Sequence, residues 1–199
     1  MTVRLITRGM LAAGMLAFCA GAWAQPAPTT TAPRQDGAQR SALSGDDKDF
    51  LENAAQGGLA EVEGSKLAQS KSTNADIKQF AQQMIDDHTK ANEELTALAK
   101  QKGYDAPTQP SIMQRTELKA LSAVSGTTFD KMYASRIGVS AHEDTVKLFQ
   151  KASTDAKDPD IKAFASKTLP TLQHHLEMAK ALQQKVGQED DAKKNGGKQ

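Results

Sequence analysis

Two stretches of the chain begin alike: "NADIKQFA" from Asn74 and "DPDIKAFA" from Asp158. Each opens on a side chain that caps a helix well, and the second adds proline in the first turn, where its missing N–H costs nothing. From both starts apolar residues recur at alternating steps of three and four. The first runs Ile77, Ala81, Met84, His88, Ala91, Leu95, Leu98, and the second Ile161, Ala165, Thr168, Leu172, His175, Ala179, Leu182, Val186. This is the period of a helix with one buried face. The repeat therefore implies a helical unit that occurs twice.

A helix upstream of each start completes the pattern. The first is expected over roughly Asp46–Lys71, with a seam of Leu51, Ala55, Gly58, Val62 and Ser65 and with Asp46, Asp47 and Asp49 at the positive end of its dipole. The third, about Thr127–Ala156, carries Met132, Ser135, Val139, His142, Val146 and Phe149 at the same spacing. Pro170 falls inside the last helix and is expected to kink it by releasing the carbonyl of Ser166. Turns within each pair are short, whereas residues 103–126 form a long link with one short helix. Strand patterns are nearly absent. The expected fold is all-α: a ferritin-like four-helix bundle of two helical hairpins with one long crossover.

Around this domain, residues 45–187, lie segments of other character. Residues 1–24 read as a signal peptide, with Arg4 and Arg8, an apolar Met10–Ala20 and the small-x-small Ala22-Trp23-Ala24. Cleavage after Ala24 and a periplasmic location are the expectation. The apolar run is shorter than the ~18 residues of a membrane span. Cys19 is the sole cysteine, and bulky Phe18 before it argues against a lipid anchor; its removal leaves a mature chain without disulfide or thiolate ligand. Residues 25–44 are Pro- and Thr-rich and residues 188–199 polar, both expected to be disordered.

Removing Arg4 and Arg8 from a formal charge of +1 leaves about −1. The charges are interspersed. There is neither the basic patch of a nucleic-acid binder nor a glycine-rich phosphate loop, and nothing marks an activated nucleophile. Partners in the envelope are compatible with this surface, and it specifies no oligomeric state.

The stretches "AAQGGLAEVEGSKLA", "IKQFAQQMIDDHTKANEELTALA" and "KAFASKTLPTLQHHLEMAKAL" resemble the bacterial exported family labelled domain of unknown function 4142. The resemblance covers nearly all of residues 46–186 and implies a periplasmic ferritin-like bundle, without implying an activity. The outer-membrane label that some members carry does not imply a barrel, since the alternating strand pattern is missing. The family's motifs fall on Glu61, Glu63, Asp87-His88, His142 and His175. Ferritin-like iron enzymes place Glu three residues before His; here Ile85, Val139 and Leu172 stand there, which argues against a di-iron ferroxidase centre.

His88, His142 and His175 each lie near the middle of a helical seam, so a bundle brings them to about one level. Unpaired, each buried imidazole costs roughly 1–3 kcal/mol. A metal satisfies all three at once: imidazoles suit Zn, Cu, Fe or Ni, and a carboxylate from the first helix completes four ligands. Glu61 and Glu63 are both candidates, Glu63 slightly favoured because Leu59 and Leu67 share its side. The role expected of such a site is metal handling or oxidative defence; the competing reading is a non-enzymatic envelope stress or interaction protein whose histidines form a hydrogen-bonded structural layer with Tyr133, Ser65, Ser135 or Thr168. Met84, Met132 and Met178 read as core filling rather than haem ligands.

Overall fold

The computed structural model describes residues 42–196. The expected signal segment and nearly all of the Pro/Thr-rich linker lie outside the described residues. Helix α1 (Gly45–Lys71) is capped by Ser44, whose hydroxyl accepts from the Asp47 N–H, and α2 (Ala75–Gln101) by Asn74, which accepts from the N–H groups of Asp76 and Ile77. Asp158 caps α6 (Pro159–Gly196) likewise, accepting from Asp160 and Ile161. Both halves of the repeat thus start with the same cap.

Between them, α3 (Ile112–Ser122) lies within the crossover and packs on α1. Helix α4 (Gly126–Met132), a π-helical segment (Tyr133–Ser140) and α5 (Ala141–Asp155) follow without a break. The strongest packing joins α1 to α2 and α5 to α6. Asn74, before α2, bonds Glu189 near the end of α6, while Lys102, after α2, reaches Asp158 and Asp160 at its start. Asp47 at the start of α1 accepts from Lys157 and Asp158 in the α5–α6 turn. These ties fix the helix directions as up, down, down, up. The fold is an all-α, ferritin-like bundle of two hairpins joined by one long crossover, with no strand among the described residues.

Its core is divided. One apolar cluster holds Phe80, Met84, Leu121, Phe129, Tyr133 and Ile137; the other holds Phe50, Leu51, Leu95, Phe149, Ile161 and Phe164. Between them along the helices lie four buried polar side chains: Glu61, His88, His142 and His175.

Three details differ from the sequence expectation. Met132, Ser135 and Val139 are only half-buried, and Phe129, Tyr133 and Ile137 face the core instead. The cause is the π segment: the Ala141 N–H bonds the carbonyl of Arg136, five residues back, so this stretch holds more residues per turn than an α-helix. Asp47 stands in the first turn of α1 as expected but is also buried there, as an acceptor for the distant turn, which the sequence reading does not include. Finally, α6 passes through Pro170 and continues to Gly196, across most of the expected disordered tail. Ties from Asn74 to Glu189, Lys185 to Asp76 and Lys131 to Asp190 hold these last turns.

Candidate metal centre

Each histidine is placed by a different element: His88 by α2, His142 by the first turn of α5, directly after the π segment, and His175 by α6. Because the π segment shifts the face by one residue, Ile137 and His142 point inward five positions apart. The same turn leaves the Ile137 carbonyl 3.2 Å from His142 Nδ1, which donates to it. Ring centroids of the three imidazoles are 5.3 to 5.6 Å apart. One ring nitrogen from each lies within 4.8 Å of the other two.

Glu61 is the fourth member of the layer and is fully buried. Its Oε2 lies 3.0 Å from His88 Nδ1, an ion-pair distance, though the angle falls short of a good hydrogen bond. Its Oε1 lies 3.6 Å from His142 Nδ1 and accepts weakly from Thr145 at 3.4 Å. The carboxylate thus faces the Nδ1 side of two imidazoles. Their Nε2 atoms face each other at 3.3 Å. With both Nδ1 atoms turned to oxygen acceptors, the two Nε2 atoms are lone-pair sites when the rings are neutral, and at this distance they share either a proton, as when His88 is protonated, or a cation. Nitrogens about 2.1 Å from one tetrahedral ion sit close to ~3.4 Å apart.

His175 supplies the third ring of the layer. Its Nε2 donates to Asp87 Oδ2 at 2.9 Å, leaving Nδ1 buried without a hydrogen-bond partner. This is the tautomer that a ligating Nδ1 needs. Asp87 is 41% exposed, so the His175–Asp87 pair links the buried layer to the surface.

The electrostatics follow from burial and mutual proximity. Burial alone raises the pKa of Glu61, but the charges of His88 and His142 outweigh it and hold the carboxyl down at about 2. For His88, burial opposes protonation and Glu61 favours it, with a net rise. Burial lowers the pKa of His142, and burial with the His88 charge lowers that of His175 to about 4. At neutral pH the site therefore offers neutral nitrogens on His142 and His175 beside a carboxylate.

Of the five residues singled out from the sequence, the three histidines and Glu61 come together. Glu63 does not: it is exposed, on the far side of α1 from the layer. Glu61 moreover lies behind the rings, as an acceptor, rather than among the nitrogen donors. Asp87, which the family motif pairs with His88 in sequence, is the direct acceptor for the His175 ring N–H, and Thr145, unmentioned by the sequence reading, reaches Glu61.

Among solved structures, the chain is similar to a DUF305 fragment from Deinococcus radiodurans, at TM-score 0.64 and 12% identity over 74% of this chain and 99% of that one. It is also similar to CopM in the Cu(I)-bound form, at TM-score 0.60 and 18% identity over 70% and 96%. A conserved hypothetical protein from Mycobacterium tuberculosis follows at TM-score 0.55 and 17% identity over 69% and 90%. At such identities the likeness is one of fold. A comparison with curated proteins gives no significant match. Residues 32–182 match the family model described as domain of unknown function (DUF4142), and the chain belongs to that family.

Proposed function

We propose that the protein is an exported, periplasmic metal-handling bundle that holds one transition-metal ion on His88 Nε2, His142 Nε2 and His175 Nδ1. Glu61 and Asp87 act as acceptors that orient the rings. The observation that carries this reading is the convergence of three buried imidazoles, with one nitrogen of each within 4.8 Å of the others and an oxygen beside one nitrogen of every ring. Copper is the first candidate. Three imidazoles with no thiolate suit copper or zinc, and CopM, which shares the fold, is described in both Cu(I)- and Cu(II)-bound forms. A purely structural histidine layer fits less well, because it leaves His175 Nδ1 buried and unpartnered.

A copper ion held by three buried imidazoles suits sequestration or transfer. The test is elemental analysis of protein recovered from the periplasm without chelator or metal-binding tag. About one transition-metal ion per chain is expected, lost in His88→Ala and in His142→Ala and retained in His174→Ala, whose side chain is exposed. Folded wild-type protein that takes up no metal when offered Cu or Zn sinks the proposal.

A further inference from the structure

A buried layer needs a way in, and its surroundings close most of them. Along the bundle axis lie the two apolar clusters, with Met84 and Ala179 on one side and Leu95 and Leu172 on the other. From α1 the fully buried Glu61 stands against the Nδ1 edges of His88 and His142, behind the rings. The α1–α2 and α5–α6 contacts are the strongest in the bundle. The seam between α2 and α6 is different. On either side of the layer it opens into grooves of about 430 Å³ and 260 Å³, where small side chains, Ala97 and Ala163 in one and Ala181 in the other, keep the helices from interlocking. At the layer itself the seam is closed by the hydrogen bond from buried His175 to Asp87, which is 41% exposed. Pro170 lies five residues before His175, so α6 lacks one rung of its hydrogen-bond ladder close to this point.

We propose that this seam is the port of the histidine layer: Asp87 is the first group an arriving cation meets, and His175 is the side chain that turns aside to admit it. The proposal rests on the metal-handling reading for its cargo and on the seam alone for its location. A partly exposed carboxylate attracts a cation from water, and pairing with it releases the His175 N–H from its acceptor. Freed of that bond, the ring has groove space on either side along the seam. Local openings of this kind occur where few contacts must be broken. Once the ion is held, the His175–Asp87 bond re-forms and closes the seam behind it.

Lys90 and Thr171 are exposed on opposite banks of the seam, in the register that pairs Glu94 with Lys167 and Asp76 with Lys185. Lys90→Cys/Thr171→Cys joined by a short bis-maleimide therefore ties the port shut. Asn53→Cys/Lys151→Cys, bridged in the same way between α1 and α5, is the control. Protein recovered from the periplasm supplies the sample, its expected mature chain having no other cysteine. The metal-free readout is residue-resolved carbethoxylation by diethyl pyrocarbonate. Among the buried rings His175 is expected to react first, roughly tenfold or more ahead of His88 and His142, and the bridge across the port slows it by a similar factor. The loading readout is transfer of Cu2+ from a chromophoric chelator, slowed by the same bridge and unaffected by the control bridge, with about one ion per chain at the end. Reaction of His88 or His142 as fast as that of His175, or bridged protein that reacts at the unbridged rate, overturns the port. Ordered labelling of a protein that takes up no Cu2+ keeps the port and removes only the metal reading, so the two failures read apart.

Discussion

His88 Nε2 and His142 Nε2 face each other at 3.3 Å while the Nδ1 atom of each ring is turned to an oxygen, Glu61 Oε2 for the first and the Ile137 carbonyl for the second. Side chain and backbone thus cooperate to aim two lone pairs at one point. The site's behaviour should depend on the oxygens behind the rings as much as on the rings.

Glu61→Gln removes the charge behind His88 and His142 at nearly constant volume. Metal affinity is expected to fall on the order of 10–100-fold, the usual effect of losing an outer acceptor. Glu63→Gln, on the exposed face, should leave affinity unchanged. Competition titration against a chromophoric chelator measures both; equal affinities for the two variants would remove Glu61 from the site.

Asp87→Ala frees the His175 proton to settle on Nδ1, the nitrogen proposed to hold the metal. Affinity should again fall by roughly 10–100-fold, with about one ion still bound at saturating metal. The metal-free fold should be little affected, because Asp87 is partly exposed and its removal leaves only a surface change. A loss of stability matching the loss of affinity would show instead that the pair is structural.

Acid should destabilise the metal-free protein in two stages. His175 has its pKa lowered to about 4 from the ordinary 6.5, chiefly by burial, so the unfolded chain takes up its proton first and stability falls from about pH 6.5 to 4. His142, also lowered by burial, acts in the same direction. Glu61, held near 2 against burial by His88 and His142, adds stability that is lost between about pH 4.5 and 2. His88 has the opposite sign: its pKa is raised, so its contribution is present below about 6.5 and disappears as pH rises through the folded value. Urea midpoints of apo protein should therefore decline on acidification below about pH 6.5, and a midpoint that stays flat down to about pH 4 contradicts the buried neutral imidazoles. Metal affinity should rise with pH as the His88 proton is lost.

Asp47→Ala deprives two backbone N–H groups in the α5–α6 turn of their acceptor. A loss of about 2–4 kcal/mol is expected from two charge-assisted bonds. Glu61 lies two heptads further along α1, roughly 21 Å at 1.5 Å per residue. Metal stoichiometry should thus be unchanged. Urea denaturation and elemental analysis on the same sample separate the two effects.

Much of this was legible because α2 and α6 keep a regular α-helical period. His88 and His175 could be assigned to the core by counting threes and fours, and both are buried. Residues 133–140 were not legible in that way. A π turn leaves no fixed residue signature, and a strict count placed Met132, Ser135 and Val139 on a face that is taken by Tyr133 and Ile137. His142 still came out buried, since the count on α5 beyond the π segment includes it.

The choice between Glu61 and Glu63 had a usable signal. Asp47, Ala54, Glu61 and Ala68 stand one heptad apart, and all four are buried. Gln56, Glu63 and Ser70 form the corresponding row on the outer side, polar throughout. Leu59 and Leu67, which favoured Glu63, are only half-buried. Small residues one heptad either side of a glutamate mark a position where helices approach closely, and that was better guidance than nearby leucines. The helical extension of α6 had no such local mark, because its support comes from Asn74, Asp76 and Lys131, all remote in sequence.

The polar layer draws one imidazole from the first hairpin and two from the second. Neither hairpin alone can assemble three nitrogens, so an ion can be captured only after the crossover has brought the halves together. On the proposed metal-binding reading, loading then becomes a checkpoint on assembly: a chain with its hairpins undocked has no three-coordinate site to offer, and only a finished molecule can receive the ion.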